Sequence, residues 1–416
     1  MKSDIDALMH AKNFKALVVI GDAQHNPPMY YLTGGGHVNN AILVKQYKKD
    51  PILFCNDMER EEAAKSGLQV HCFSEYPMED LLIRTKGDSI QAGALRIQKM
   101  FTDIGLLQGN VSLYGKTEFG SSFAVFSQLQ KIIPELNFIG ESQDASLLMK
   151  AMGTKDESEV ARIRHMGEIT TKVVGRVSDF LTDSEVDKNE ILLREDGAHL
   201  TVGDVKSKIN LWLAESGVEN PHGTIFAIGH DSGVPHSTGN PDDLVRLGQT
   251  IVFDIFPCEA GGGYHYDFTR TWCLGYAPPE ALNLYQQVYT VYQKVMENLD
   301  LNAPYKDYQR LTCEMFEVNG HPTQKTHKSP VEGYVHSLGH GVGLNLHERP
   351  WSSLTADEDN RLAVGVVATI EPGLYYPNEN LGVRLEDTFW VHPDGKFEIL
   401  AVYPLDLVLP MKKWNK

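Results

Sequence analysis

Val252-Phe253-Asp254-Ile255-Phe256-Pro257, followed by Gly261-Gly262-Gly263-Tyr264-His265-Tyr266-Asp267-Phe268-Thr269-Arg270-Thr271, reads as two strands joined by a glycine-rich reversal. An apolar strand carries one aspartate, the turn brings the chain back, and a second strand carries another. Such a hairpin can bring both carboxylates to one place, and repelling carboxylates are tolerated together when a cation sits between them. Taken alone, the pattern fits an exposed hairpin with turn-favouring aspartates equally well. Other segments have to decide.

Downstream, Val335-His336-Ser337-Leu338-Gly339-His340-Gly341-Val342-Gly343-Leu344-Asn345-Leu346-His347-Glu348 places three histidines close together, with small residues around the middle one. The glycines neither follow a convincing strand nor open a helix, so they are not a dinucleotide fingerprint. The histidine spacing is not HExxH, which leaves a single-zinc protease unsupported. One such histidine reads as structural; three in this setting favour a site.

Two glutamates follow, in Thr369-Ile370-Glu371-Pro372-Gly373-Leu374-Tyr375 and Gly382-Val383-Arg384-Leu385-Glu386-Asp387-Thr388. Each ends or punctuates a strand-like run, and either alone reads as a surface residue, since carboxylates are rarely buried without partners. The set carries more weight than its members. One imidazole with several carboxylates suits Mn²⁺, Fe²⁺, Co²⁺ or Zn²⁺, and the hard oxygen donors tilt toward Mn²⁺. Two bridging carboxylates can hold two such ions ~3.5–4 Å apart, the spacing of two-metal hydrolysis.

The rest of the chain frames these segments. Residues 1–153 alternate strands and helices, with strands expected at Ala16–Ile20, Asn39–Lys45, Pro51–Cys55 and Val111–Tyr114 and helices at Glu59–Ser66 and Ser121–Ile133. A second regime covers 154–416. Val160, Ile163, Met166, Ile169, Val173, Val177 and Leu181 describe one face of a helix over Asp156–Leu181. Further helices are expected at Thr201–Ser216 (N-cap Thr201, stop Gly217), Pro279–Leu299 and Tyr305–Val318. Strands are expected at Thr224–Ile228, Thr250–Phe256 and Gly365–Ile370, and as a pair, Val383–Val391 with Phe397–Val402, turning at Pro393-Asp394-Gly395. The long segment Asn319–Gly333 is expected to form a loop near the site entrance. The fold class is therefore α/β (α+β): a smaller N-terminal α/β domain, 1–153, then a second domain, 154–416.

Composition narrows the function classes. The 416 residues include 38 Lys and Arg against 55 Asp and Glu, a formal charge of −17. The basic runs, Lys45–Lys49 and the tail Met411–Lys416, are short and read as solvated surface, so nucleic-acid binding is disfavoured. Five cysteines without a CxxC pattern read as a reducing compartment. The first residues show no secretory signal, and no apolar stretch approaches a membrane span. A cytoplasmic protein is the expectation.

Taken in order, these segments resemble the pita-bread metallopeptidases: aminopeptidase P, prolidase, methionine aminopeptidase and the metal-free creatinase. The resemblance rests on Asp267-Phe268-Thr269-Arg270-Thr271, on His336, His340 and His347, on Glu371-Pro372-Gly373 and on Arg384-Leu385-Glu386-Asp387. It spans 154–416 and extends to Met29-Tyr30-Tyr31-Leu32-Thr33-Gly34, which resembles the N-terminal domain of the aminopeptidase P, prolidase and creatinase branch. Methionine aminopeptidases generally lack that domain. The resemblance implies a pita-bread catalytic domain with two divalent ions, Asp254 on one, His340 and Glu371 on the other, and Asp267 and Glu386 bridging both. It further implies that Glu371 moves a proton, that His347 polarises the scissile carbonyl, that His236 lies on the substrate side, that His336 is a further active-site histidine and that Arg384 hydrogen-bonds within the site. The implied activity is cleavage of Xaa-Pro bonds at peptide N-termini by a metal-bridging hydroxide, in a homodimer.

One departure bears on substrate. Asp254 is followed by Ile-Phe-Pro, where the family usually has a small glycine-containing turn, and Asp267 stands thirteen positions on, about two more than usual. The altered hairpin keeps open a second reading, the same site acting on a small amide, amidine or osmolyte. A third, a non-catalytic binding module, is opposed by the intact ligand set.

Overall fold

A computed structural model describes residues 1–414; Asn415 and Lys416 of the basic tail lie outside the described residues. The chain divides into two compact units, Met1–Met152 with Gly261–Gly263, and Gly153–Ala260 with Tyr264–Lys416.

The first unit is built on a six-stranded mixed sheet of β1 (Phe14–Gly21), β2 (Ala41–Gln46), β3 (Ile52–Cys55), β4 (Gln69–Cys72), β5 (Gly109–Lys116) and β6 (Leu136–Ile139), in the order β4-β3-β2-β1-β5-β6. β1 runs antiparallel to β2 and parallel to β5. Helices α1 (Ser89–Asp103) and α2 (Phe119–Ile132) bury Ile97, Met100, Phe101, Phe126 and Leu129 in one core with Val18, Val44, Phe54 and Val111 of the strands. β4, β6 and α1 are elements that the apolar pattern did not reveal. The glycines of the Asp254–Asp267 hairpin tip belong to this unit: the His25 backbone N–H donates to Gly261 O at 2.9 Å. A Cβ at Gly262 (φ +73°) would stand 2.7 Å from His25, so only glycine fits there.

In the second unit the expected helices form as α3 (Glu157–Thr182), α4 (Val202–Glu215), α5 (Pro279–Glu297) and α6 (Tyr305–Val318). α3 starts at a capping box made by Asp156 and Glu159, and six of its seven predicted face residues are buried, Ile169 being the exception. Thr201 caps α4 by accepting from Asp204 N, with Asp204 answering to the Thr201 backbone N–H.

Two larger sheets carry the carboxylates. The first has the order β7-β8-β9-β17, from Thr224–Ile228 (β7), Thr250–Ile255 (β8), Phe268–Leu274 (β9) and Val408–Leu409 (β17). β8 is buried along its whole length, which explains why its sequence is a continuous apolar run rather than an alternating one. The second sheet contains β10 (His340–Gly341), β11 (Glu348–Trp351), β12 (Val367–Ile370), β15 (Asp387–Val391) and β16 (Phe397–Ile399), ordered β11-β10-β12-β15-β16. A separate antiparallel pair joins β13 (Gly373–Tyr376) to β14 (Leu381–Arg384).

The expected single strand Val383–Val391 is thus divided. Its first part pairs with β13 and its second with β12 and β16, so the chain leaves one ladder and joins another across Leu385-Glu386. Glu386 sits at that crossing, where it bridges to Thr269 of β9. The loop Asn319–Gly333 contains no helix or strand, and Gly333 is hydrogen-bonded both ways to Tyr375 at its end.

Candidate metal centre

β8 and β9 pair antiparallel with Asp254 opposite Thr269, so Asp267, just ahead of β9, lies diagonally across from Asp254. Glu371 follows β12, His340 opens β10, and Glu386 occupies the crossing between β14 and β15. Three groups result whose ligand atoms all lie within 4.8 Å of one another: Asp254, Asp267 and Glu386; His340, Glu371 and Glu386; and Asp267, His340 and His347. The five residues expected to hold metal therefore converge, and a ring nitrogen of His347 stands beside them.

The electrostatics of this cluster are costly without a cation. Burial pushes the Asp267 carboxyl well above the usual carboxylate range, and the neighbouring Asp254 and Glu371 push it further. Glu386 is raised well above its ordinary value by burial and by Asp267, Glu371 and Asp254. Burial raises Glu371 to about 8, with Arg384 opposing and Asp254 adding. His340 is driven down to about 3 by burial and by His347 and His336. It is thus neutral. Its Nδ1 faces Gly341 O at 3.1 Å and can only donate there, which leaves a lone pair on Nε2. That lone pair faces Asp267 Oδ2 at 3.5 Å and Glu371 Oε1 at 3.4 Å, so the imidazole and two carboxyl groups converge on one space. Asp254 Oδ1 is buried without any hydrogen-bond partner. Oxygen and imidazole donors that converge on one space, with Asp254 Oδ1 unpartnered, are what a divalent cation requires, and the donor set fits one.

Hydroxyls and one guanidinium hold the donors in place. Arg384 donates through Nη2 to Asp254 Oδ2 at 2.5 Å, through Nη1 to the Tyr375 hydroxyl at 2.8 Å and through Nε to Thr269 Oγ1 at 3.3 Å. Burial works against its charge, but Tyr375, Asp254 and the surrounding carboxylates outweigh that and keep it charged. The Thr269 hydroxyl in turn donates a hydrogen bond to Glu386 Oε2 at 2.7 Å. Thr271 accepts from the Arg384 backbone N–H and donates to the Arg384 carbonyl, both at 2.9 Å. Thr388 donates to Asp267 O at 2.8 Å.

His336 is fully engaged. Its Nδ1 donates to Ser337 O at 2.8 Å, so its Nε2 accepts from the Tyr375 hydroxyl at 2.7 Å. Burial, Arg384 and His236 hold it down to about 3. A directed chain follows: Arg384 donates to Tyr375, and Tyr375 donates to His336. His347 is exposed at the end of the loop after β10, its ring 4.2 Å from that of His340. His236 is exposed on the loop before β8, near enough for its charge to act on both His336 and His347.

Tyr375 and Thr269 were quoted in the motifs but assigned no part. Tyr375 shares a strand face with Gly373, the only signal in its sequence, and its importance comes from the β13–β14 pairing that sets it beside Arg384. His222, whose ring lies 6.5 Å from Phe256 and 5.9 Å from His265, acts electrostatically on His347 and carried no motif at all.

Comparison with known proteins adds ancestry to this geometry. Residues 161–393, more than half of the chain, match the profile of metallopeptidase family M24. An Xaa-Pro dipeptidase of Pyrococcus horikoshii is 24% identical over 395 residues, 95% of this chain and 92% of that protein. An Xaa-Pro dipeptidase of Pyrococcus furiosus is 27% identical over 248 residues, where the chain spans 62% of the relative's length. Among solved structures, a dipeptidase from P. horikoshii superposes with a TM-score of 0.74 at 20% identity, covering 98% of this chain and 99% of that one. An X-Pro aminopeptidase from Thermotoga maritima gives 0.72 at 20% identity, covering 95% and 97%. The fold is that of the two-domain pita-bread proteins, and the chain belongs to metallopeptidase family M24.

Proposed function

We propose that this protein is a dinuclear Xaa-Pro peptidase that removes the residue preceding proline from a peptide N-terminus, as an aminopeptidase or a dipeptidase. One observation carries the reading: four converging carboxylates, three of them buried and Glu371 partly so, and a neutral imidazole, with Asp254 Oδ1 unpartnered, in a chain whose relatives include Xaa-Pro dipeptidases. Asp254, Asp267, His340, Glu371 and Glu386 would hold the two ions between them, and the oxygen-rich set would favour Mn²⁺. Two divalent ions held there lower the pKa of a water and draw electrons from the carbonyl oxygen.

The remaining work belongs to the protein's own groups. Glu371, raised by burial toward neutrality, is suited to take a proton from the attacking water and return it to the leaving nitrogen. In the substrate that nitrogen belongs to a proline tertiary amide without N–H, so it must gain a proton to leave as a secondary amine. His347, exposed beside His340, is placed to donate to the carbonyl oxygen as charge builds on it. His236 faces the substrate from its loop, and Arg384, with Tyr375 and His336, holds Asp254 rather than carrying protons.

Among the described residues no helix is long and apolar enough to cross a membrane, and all five cysteines are free. We place the protein in the cytoplasm, as a homodimer. The test pairs metal analysis with cleavage of Xaa-Pro dipeptides against longer Xaa-Pro peptides, using Asp267→Ala as control. Turnover of neither class by metal-replete protein overturns the reading. The lengthened hairpin, whose glycine tip packs in the first unit, favours as second reading a non-peptide amide, amidine or osmolyte; turnover in a metabolite screen without peptidase activity selects it.

A further inference from the structure

We propose that Lys155 and Glu348 are a positioning pair that fixes the loop carrying His347. The proposal rests on the reading of His347 as the group that meets the scissile carbonyl. β10 and β11 form a hairpin in which His340 pairs with Trp351 and Gly341 with Glu348, with an irregular register between the two pairs. Residues 342–347 are therefore its loop, and His347 is the last residue before β11. The loop enters from Gly341 through Val342-Gly343, a sequence with little stiffness of its own.

What holds it is a carboxylate turned inward. Glu348 is fully buried and ion-paired to Lys155 Nζ, whose side chain is 2% exposed. The other Glu348 oxygen receives the backbone N–H and the side-chain amide of Asn345, each at 3.4 Å, from within the loop. The carboxylate also fills the space above Gly343: a Cβ there would stand 2.1 Å from Glu348 Oε1. Gly343 O in turn accepts the His265 backbone N–H at 2.8 Å. Lys155 is itself anchored, since its backbone N–H donates to Gly365 O at 2.7 Å and the α3 capping box starts at the next residue. The ammonium thus comes from the rigid start of a 26-residue helix and reaches the inside of a glycine-rich loop. A buried charge pair is a poor source of stability but a directional one, because neither partner has another place to put its charge. Among the described residues no hydrogen bond or ion pair joins either side chain to the five metal-site residues; the pair acts on the reaction through the orientation of His347.

Removing one partner strands a buried charge, so Lys155→Met or Glu348→Gln alone can fail to fold. The double variant Lys155→Met/Glu348→Gln removes both charges at nearly constant volume. It is compared with wild type by metal content, by kcat and KM on an Xaa-Pro peptide, and by the ring resonance of His347 in ¹³C-histidine protein loaded with diamagnetic Zn²⁺, assigned with His347→Asn. The expected result is unchanged metal content, kcat lowered by about 10–100-fold with KM little altered, and a His347 resonance that broadens or splits while that of His340 does not. A double variant with wild-type kcat and a single sharp His347 resonance overturns the proposal. So does one that loses metal in step with activity, since the pair would then be supporting the ligand set. If wild type cleaves no Xaa-Pro peptide, the peptidase reading falls, while the His347 resonance still decides the pairing.

Discussion

A carboxyl buried among other carboxyls keeps its proton until a cation displaces it, and this determines how the metal-free protein responds to pH. Glu371, at about 8 in the fold against an ordinary 4.5, still holds its proton where the unfolded chain has lost it. Stability therefore falls as pH rises through that interval. His336 and His340 act in the opposite sense, being near 3 in the fold against 6.5, but their contribution is complete once the unfolded imidazoles are neutral. Between about pH 6.5 and 8 the carboxyls act alone. Chelated protein is expected to melt at progressively lower temperature across that window, and saturating Mn²⁺ to abolish the trend and release protons into weakly buffered solution. Calorimetry and a pH indicator check both. At the same scale, Asp267→Asn removes a carboxylate proposed to bridge: on that reading metal content should drop from two ions to one or fewer, and kcat/KM by more than about 100-fold. Tyr375→Phe keeps the ring and removes the hydroxyl that links Arg384 to His336. A loss of about 10–100-fold in kcat/KM is expected, with folding by circular dichroism intact. The five candidate ligands were legible because each is displayed from an apolar or glycine-rich run. Tyr375 and Thr269 were not, because a hydroxyl gains its meaning only from the strand laid beside it.

Among the elements, legibility followed local signals. α3 and α4 announce themselves by capping residues and by large apolar side chains at steps of three and four. α1 was missed because alanines make up part of its buried face, Ala92 and Ala94 with Ile97, Met100 and Phe101, which weakens the apolar contrast. The run Val383–Val391 misled for another reason. Its residues suit a strand throughout, and nothing local records that β14 and β15 pair with different partners on either side of Glu386. That switch is what turns a surface-like glutamate toward Asp267, so the one strand misread as continuous is the one that builds the site. Elements away from the crossing should be separable from chemistry. Thr201→Ala removes the α4 cap, whose hydroxyl accepts from Asp204 N at 3.1 Å, and should cost about 1 kcal/mol in urea unfolding while kcat/KM stays at the wild-type value. A parallel loss of activity would show that α4 is coupled to the site.

At the scale of the molecule, all five metal-site residues, together with His236, His336, His347 and Arg384, lie in the second unit, although its chain visits the first at Gly261–Gly263. The six-stranded sheet of the first unit has a hydrophobic core of its own around Val18, Val44, Phe54 and Val111. A cation bound only by the second unit stabilises the states that keep its ligands together, by about 2.7 kcal/mol at a hundredfold excess over Kd. Local opening of strands that present those ligands must then become rarer, whereas opening within the first sheet has no ligand to lose. Hydrogen exchange with and without Mn²⁺ should therefore show slowed amides in β8, β12 and β14–β15 and unchanged amides in β1 and β5. Because β8 pairs with β9 over Thr250–Ile255 and β12 with β15 over Val367–Ile370, protection should spread along both ladders and not stop at the ligand residues. Protection confined to Asp254 and Asp267 would mean a single ion held by the hairpin alone. Protection in both ladders means that the bound charge is shared between the two sheets, as the groups Asp254–Asp267–Glu386 and Asp267–His340–His347 allow.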